Sequence, residues 1–225
     1  IRDGYFVDRN KVNEPTSLYD VLGNLGIPPC EVGPVRLLEN TAPVDPDSLV
    51  TGGETFVVEA APSRTLQMPR FLGDLHLGRL VRYLRVLGFD TAWEVSGEEA
   101  LVADRGVAEG RVVLSRNIAL LKRRAMRQAM LVLSDDPDRQ VVEVLRRFRL
   151  AGRVRMFGRC SRCNGTLASV AKADVAERIP PKTAAWLDTY YVCRDCDQLF
   201  WEGTHVLALR ERLKTIIATV EEEKP

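Results

Sequence analysis

The sequence contains no apolar run of about 18 residues, the length a helix needs to cross a bilayer, so a membrane-spanning helix is excluded. Its first residues, IRDGYFVDRN, lack the charged start and apolar core of a secretory signal peptide, and a cytoplasmic chain is expected. Net charge is almost absent, with 32 Lys and Arg against 31 Asp and Glu. Disorder is excluded too, because 45% of the residues are hydrophobic and 28% charged, the balance of a soluble globular chain. Cysteine is scarce and odd in number, five in 225 residues, and four of the five form two tight pairs, Cys160/Cys163 and Cys193/Cys196. In a cytoplasmic chain that pattern argues for a metal before disulfides.

The balanced total hides an uneven distribution. Residues 1 to 62 hold 4 Lys and Arg against 10 Asp and Glu, residues 63 to 158 hold 18 against 11, and residues 159 to 225 hold 10 against 10. A first third of −6 therefore precedes a middle third of +7. A basic segment in a neutral protein fits a polyanionic partner, and solubilising helix surface is the alternative.

Within residues 1 to 62, Thr16 or Ser17 can cap a helix, SLYDVLGNLG, whose Leu18, Val21, Leu22 and Leu25 recur at helical spacing. PVRLLEN reads as a strand, TAPVDPDS as a turn-rich loop and GGETFVVEAAP as a final strand. The pattern suits a β-grasp, and it resembles the sulfur-carrier type of ubiquitin-like domain. Those carriers end in a free Gly-Gly, whereas this chain continues through EAAPSRTLQMPRF, so the resemblance implies the fold and not sulfur transfer.

Pro62 to Met68 reads as a linker, and beyond it strand and helix periods alternate. PRFLGD, FDTAWEV, RVVLS and AMLVLS are strands; LHLGRLVRYLRVLG, GEEALVADRGVAEG, IALLKRRAMRQ and DPDRQVVEVLRRFRL are the helices between and after them. Four βα repeats require a parallel sheet with helices on its faces, and ligands then sit at the carboxyl ends of the strands. Those ends carry Asp74, Glu94 to Glu99, Ser115 to Asn117, and Ser134 to Asp136. Carboxylates converging there could hold Mg²⁺ or Mn²⁺, while the arginines of the helices bind phosphates. The alternative is that these acids are helix caps and first-turn residues. Capping is preferred for Asp135 and Asp136 before Pro137; the site is preferred for Asp74, which follows the apolar run RFLG.

FLGDLHLGRLVRYLRVLGFDT, RVVLSRNIALL and CSRCNGTL…YVCRDCDQLFWEGTH together resemble the Mut-seven C-terminal RNase domain family. The resemblance implies an α/β architecture: a PIN-like parallel sheet with flanking helices (69–153), a preceding ubiquitin-like domain (1–62), a four-cysteine zinc ribbon (154–210) and a C-terminal helix with an acidic tail (211–225). It implies a metal-dependent ribonuclease whose first-strand acid falls on Asp74, whose acidic stretch before the second helix is represented by Glu98 and Glu99, and whose third-strand acid position is held by Asn117; with Asp135 from the fourth strand end, Asp74, Glu98 and Asn117 are the candidate catalytic residues. Its basic helix positions fall on Arg79 and Arg85, and with the neighbouring bases Arg82, Arg116, Lys122 and Arg123 these are the candidate RNA contacts. Where the family reads Thr-Arg-Asp, this chain reads Ser115, Arg116, Asn117. Asparagine is nearly isosteric with aspartate but neutral, and it brings an NH₂ donor in place of an acceptor. The second function carried forward is therefore a catalytically weakened RNA-, tRNA- or ribosome-binding protein using the same basic face. The ubiquitin-like domain would recruit a protein partner or shield that face.

CSRC and CRDC are C-x-x-C knuckles with 29 residues between Cys163 and Cys193. Two such turns complete a tetrahedral S₄ shell, which suits a structural Zn²⁺; a redox dithiol is the alternative. The intervening AKADVAERIPPKTAAWL reads as an insertion with a short helix and a Pro-Pro turn. His205 is expected to pack on Trp201 rather than to bind metal or RNA, and Phe200 and Trp201 to be buried rather than to stack bases. Cys30 has no expected role.

Overall fold

A computed structural model describes residues 6–8, 14–66 and 69–222. The chain divides into two compact units. One comprises Ile1–Arg64, Asp74–His76 and Glu94–Leu133, the other Thr65–Gly73, Leu77–Trp93 and Ser134–Pro225.

The N-terminal elements are β1 (Phe6–Asp8), β2 (Thr16–Ser17), α1 (Leu18–Asn24), a 3-10 turn at Pro29–Glu31, β3 (Val32–Leu37), β4 (Leu49–Val50) and β5 (Phe56–Ala60). Ser17 caps α1 by accepting from the Asp20 N–H at 3.2 Å. The helix closes in a Schellman turn at Gly26 (φ +89°), with Gly26 N–H bonded to the Gly23 carbonyl and Ile27 N–H to that of Leu22. Its buried face, Leu18, Val21 and Leu22, packs with Val32, Val35, Val50 and Val58. β5 is the central strand of an antiparallel sheet, β1-β5-β3, and β2 pairs with β4.

The next elements are β6 (Arg70–Gly73), a 3-10 turn at Leu75–Leu77, α2 (Gly78–Val86), β7 (Asp90–Trp93), α3 (Glu99–Ala108), β8 (Val112–Ser115), α4 (Ile118–Leu121), β9 (Ala129–Leu131) and α5 (Pro137–Arg147). The strands form a four-stranded sheet in the order β7-β6-β8-β9, with β6/β7 and β8/β9 parallel. β8 is buried along its whole length, as a strand covered on both faces must be. The helix expected over residues 118 to 128 is only one turn long. After Leu121 the chain tightens into i→i+3 turns, Arg123 N–H to the Leu120 carbonyl and Met126 N–H to that of Arg123, which bury Met126 to 1% exposure. Lys122, Arg123 and Arg124 therefore lie on an exposed turn rather than a helix.

β10 (Leu167–Val170), β11 (Tyr190–Cys193) and β12 (Leu199–Trp201) form an antiparallel sheet in that order. The segment between β10 and β11, expected to carry a short helix and a Pro-Pro turn, has both at Pro180 and Pro181. It forms a 3-10 helix, Lys172–Arg178, and the one-turn helix α6 (Pro181–Ala184), and Val175 and Ile179 complete the apolar cluster around Tyr190 and Leu199. α7 (Thr204–Glu222) is one continuous helix across the boundary expected near residue 210; it packs against α5 and pairs Arg212 with Asp138. His205, expected to pack on Trp201, is exposed on the first turn of α7.

Candidate functional site

The apolar strand β6 carries the chain to Asp74, which is only 5% exposed. Both carboxylate oxygens are held: Oδ1 accepts the His76 N–H at 3.0 Å, and Oδ2 accepts the hydroxyl of Ser115. Ser115, fully buried at the end of β8, also accepts the Asn117 N–H at 2.9 Å. Asn117 caps α4, its Oδ1 accepting from Ala119 N at 2.9 Å and Leu120 N at 3.3 Å. Its Nδ2 donates to Glu99 Oε1 at 2.6 Å, and Glu99 Oε2 lies 3.8 Å from an Arg123 Nη. Asp74, Ser115, Asn117, Glu99 and Arg123 thus form one connected polar chain.

The other expected acids fall elsewhere. Glu98 is exposed at the start of α3 and makes no capping bond, so Glu99 is the member of the pair that joins the chain. Asp135 is exposed in the second unit, and its neighbour Asp136 is the α5 cap, accepting from Asp138 N at 2.9 Å and Arg139 N at 3.0 Å. Glu94 organises its own loop: it accepts from the Val95 and Ser96 N–H groups, and the Ser96 N–H and then Arg105 hold its carboxyl below the usual range.

Among the described residues, the four cysteines are the only group of three or more His, Cys, Asp or Glu ligands close enough to share an ion. The Asp74 chain therefore does not offer an all-protein cage.

Arg79 and Arg82 are exposed on α2 and make no ion pair among the described residues; Arg116 and Lys122 are exposed as well. Arg85 departs from the expected phosphate-binding role. It is 5% exposed, with Nε donating to the Thr91 carbonyl at 2.8 Å and one Nη to the carbonyls of Ser161 and Arg162 at 3.1 and 2.9 Å. Four residues on from Val81, it lies about 40° from it around the helix, inside the apolar face. That spacing is the sequence signal which distinguishes it from Arg79 and Arg82.

Sγ atoms of Cys160 and Cys196 are 3.8 Å apart, those of Cys163 and Cys193 3.4 Å, and all four lie within 4.8 Å of one another. Tetrahedral zinc, with Zn–S near about 2.3 Å, asks for sulfur separations of about 3.8 Å. The knuckles aim N–H groups at sulfur, Cys163 N to Cys160 Sγ at 3.5 Å and Gly165 N to Cys163 Sγ at 3.4 Å. A Cβ at Gly165 would fall 2.8 Å from Cys193 Sγ, so only glycine leaves the cradle open. Burial opposes ionisation of Cys193, but the N–H groups of Cys196 and Asp195 outweigh it and hold the thiol down at about 7. The donor set and its spacing fit a structural zinc ion.

The first knuckle is fastened by more than Arg85. Asn164 (φ +74°), which no motif singled out, accepts from Thr91 N at 2.9 Å and donates to Asp90 at 2.8 Å. Its only sequence signal is its place in Cys-Asn-Gly, where a left-handed residue must turn the chain.

The Mut7-C RNAse domain profile matches residues 69–213, more than half of the chain. The chain belongs to the Mut7-C RNAse domain family. The matched part of this Mut7-C chain begins at β6 and takes in Asp74, all four cysteines and the first half of α7. Residues 14–66 lie outside it. No curated protein and no solved structure matches the chain. No helix among the described residues is long and apolar enough to cross a membrane.

Proposed function

We propose that this Mut7-C chain is a ribonuclease that hydrolyses RNA phosphodiesters, with Asp74 as the principal carboxylate and Glu99 in place of Glu98 as the second. The carrying observation is the buried Asp74 carboxylate, fixed from both sides by His76 N–H and the Ser115 hydroxyl, in a chain whose family is an RNase domain. Asp74 and Glu99 would hold Mg²⁺ or Mn²⁺ together with water and substrate phosphate oxygens. When bound, such an ion stabilises charge on the phosphoryl oxygens and eases deprotonation of water. Ser115 keeps the Asp74 carboxylate oriented, and the Asn117 cap does the same for Glu99. Arg79, Arg82, Arg116, Lys122 and Arg123 neutralise phosphates along the RNA and position it without reading its sequence. The knuckle-bearing sheet is read as a zinc ribbon, and the N-terminal elements as a ubiquitin-like β-grasp that can engage a protein partner. A reducing, cytoplasmic setting accords with the thiolate set. The test is cleavage of a labelled single-stranded RNA with Mn²⁺ present and omitted; ion-dependent products are expected.

Asn117 favours a second reading, an RNA-, tRNA- or ribosome-binding protein with weakened catalysis, because its carbonyl is engaged in capping and its NH₂ faces Glu99. Aspartate there would bring two carboxylates together with no donor between them. Asn117→Asp should therefore lower the melting temperature without divalent ions, regain it with Mn²⁺, and raise cleavage severalfold. If Mn²⁺ leaves both the melt and the rate of this variant unchanged, no ion binds beside residue 117.

The cysteine site makes a separate prediction. The purified protein should contain one zinc per chain by elemental analysis, and Cys163→Ser/Cys196→Ser close to none. Zinc retention should fall with falling pH as the thiolates are protonated, since proton and metal compete for the same sulfur. Equal zinc in both proteins would remove the metal assignment.

A further inference from the structure

The exposed turn after α4 concentrates four bases in six residues: Lys122, Arg123, Arg124 and Arg127. The last two face acids from the N-terminal elements. Arg124 lies 3.3 Å from Asp20 of α1, and Arg127 reaches both oxygens of Asp47, at 2.7 and 2.5 Å, with its guanidinium 5.2 Å over the Tyr19 ring. Each partner in these pairs keeps 39% to 57% of its side-chain surface in water. Half-exposed pairs of this kind contribute little to stability and are screened by salt. A polyanion that meets several arginines at once and releases their counterions can displace them.

A different set of contacts holds the N-terminal elements at this place. β9 is the last strand of its sheet, and its Leu131 N–H donates to Glu31 Oε1 at 3.2 Å. The Pro29–Glu31 turn packs on β9, and Cys30 within it is 1% exposed. An edge strand is thereby covered, a job independent of the charges on Asp20 and Asp47. Asp20 does accept the Ser17 hydroxyl at 2.6 Å, a bond that the carbonyl of an asparagine would keep. The negative charge of each aspartate is directed at an arginine, where a phosphate would sit.

We infer that Arg124 and Arg127 form an RNA-phosphate contact surface, occupied in the RNA-free protein by Asp20 and Asp47 acting as phosphate mimics. The inference rests on the RNA-binding reading above and adds to it both the site and its competitor. Deleting residues 1 to 62 would uncover β9 and confuse the outcome, so the test keeps the full chain and changes charge only. A fluorescein-labelled single-stranded 20-mer RNA would be titrated by anisotropy, without divalent ions, at low and at physiological salt. Asp20→Asn/Asp47→Asn should bind about threefold to tenfold more tightly than wild type at low salt, the gain shrinking as salt rises. Arg124→Ala/Arg127→Ala should bind more weakly, with a salt slope smaller by about two phosphate contacts. Asp104→Asn/Asp174→Asn, with the same change in net charge at exposed sites, should bind like wild type. Wild-type binding that Asp20→Asn/Asp47→Asn leaves unaltered, or that the control variant strengthens equally, overturns the inference and spares the RNA-binding reading. Absence of binding by every protein overturns both.

Discussion

Asp74→Ala is expected to lower RNA cleavage by more than the roughly 100-fold that loss of an outer-shell partner costs a metal site. The reason lies in how completely the carboxylate is built in. It is nearly buried at a strand end, and both oxygens are oriented, by the His76 N–H and by a serine hydroxyl that is itself tied to Asn117. Truncation removes the negative charge and leaves the Ser115 hydroxyl and the His76 N–H without their acceptor. Asp74→Asn separates these effects, because the amide can still accept from His76 and donate to Ser115 while lacking the charge. Cleavage should be lost in both variants, whereas the melting temperature should be closer to wild type in Asp74→Asn. Equal cleavage by wild type and Asp74→Ala would sink the enzymatic reading and leave the RNA-binding one standing.

Arg85→Ala should be strongly destabilising, costing about 3–5 kcal/mol. Three carbonyls lose a charged donor, that of Thr91 in a buried bond and those of Ser161 and Arg162 in part-buried ones. Burial pulls the Arg85 pKa down, and the Cys160 and Cys163 thiolates beside it push it back up, so the cation and the cysteine centre support one another. Four thiolates around a divalent ion carry a net charge of about −2, which the guanidinium offsets. The variant should therefore both melt earlier and release zinc faster to a colorimetric chelator. Arg85→Lys should not rescue it, since a single ammonium cannot match the planar fork that reaches two segments at once. An unchanged melt together with unchanged zinc release would show that the knuckle does not depend on Arg85.

The same residue shows why part of the site escaped sequence reading. Arginines at 79, 82 and 85 look alike as a basic stripe, yet only the last falls on the buried side of α2. Helical angle separates them, but what the guanidinium bonds to lies 76 and 77 residues away in the knuckle. Asn117 was legible as a departure from aspartate, whereas its bond to Glu99 was not. Glu98 and Glu99 are adjacent, and only the direction in which α3 leaves the loop decides which carboxylate meets the amide. The short α4 differs from its sequence pattern for a similar reason: IALLKRRAMRQ has helical spacing, but the chain tightens after Leu121 and buries Met126.

By itself the sequence determined the alternation of strands and helices from β6 onward, Asp74 at a strand end, and the two C-x-x-C knuckles. Each of these is written in local periodicity or in fixed short spacing, which survives without knowledge of distant neighbours. Tertiary structure alone decided that Ser115 grips Asp74 across 41 positions, that Glu99 and not Glu98 joins them, that Arg85 is interior, and that Asp20 and Asp47 lie on Arg124 and Arg127. Those are pairings between residues far apart in the chain, and a hydrogen bond or ion pair depends on distances of a few tenths of an ångström that only the packed fold sets.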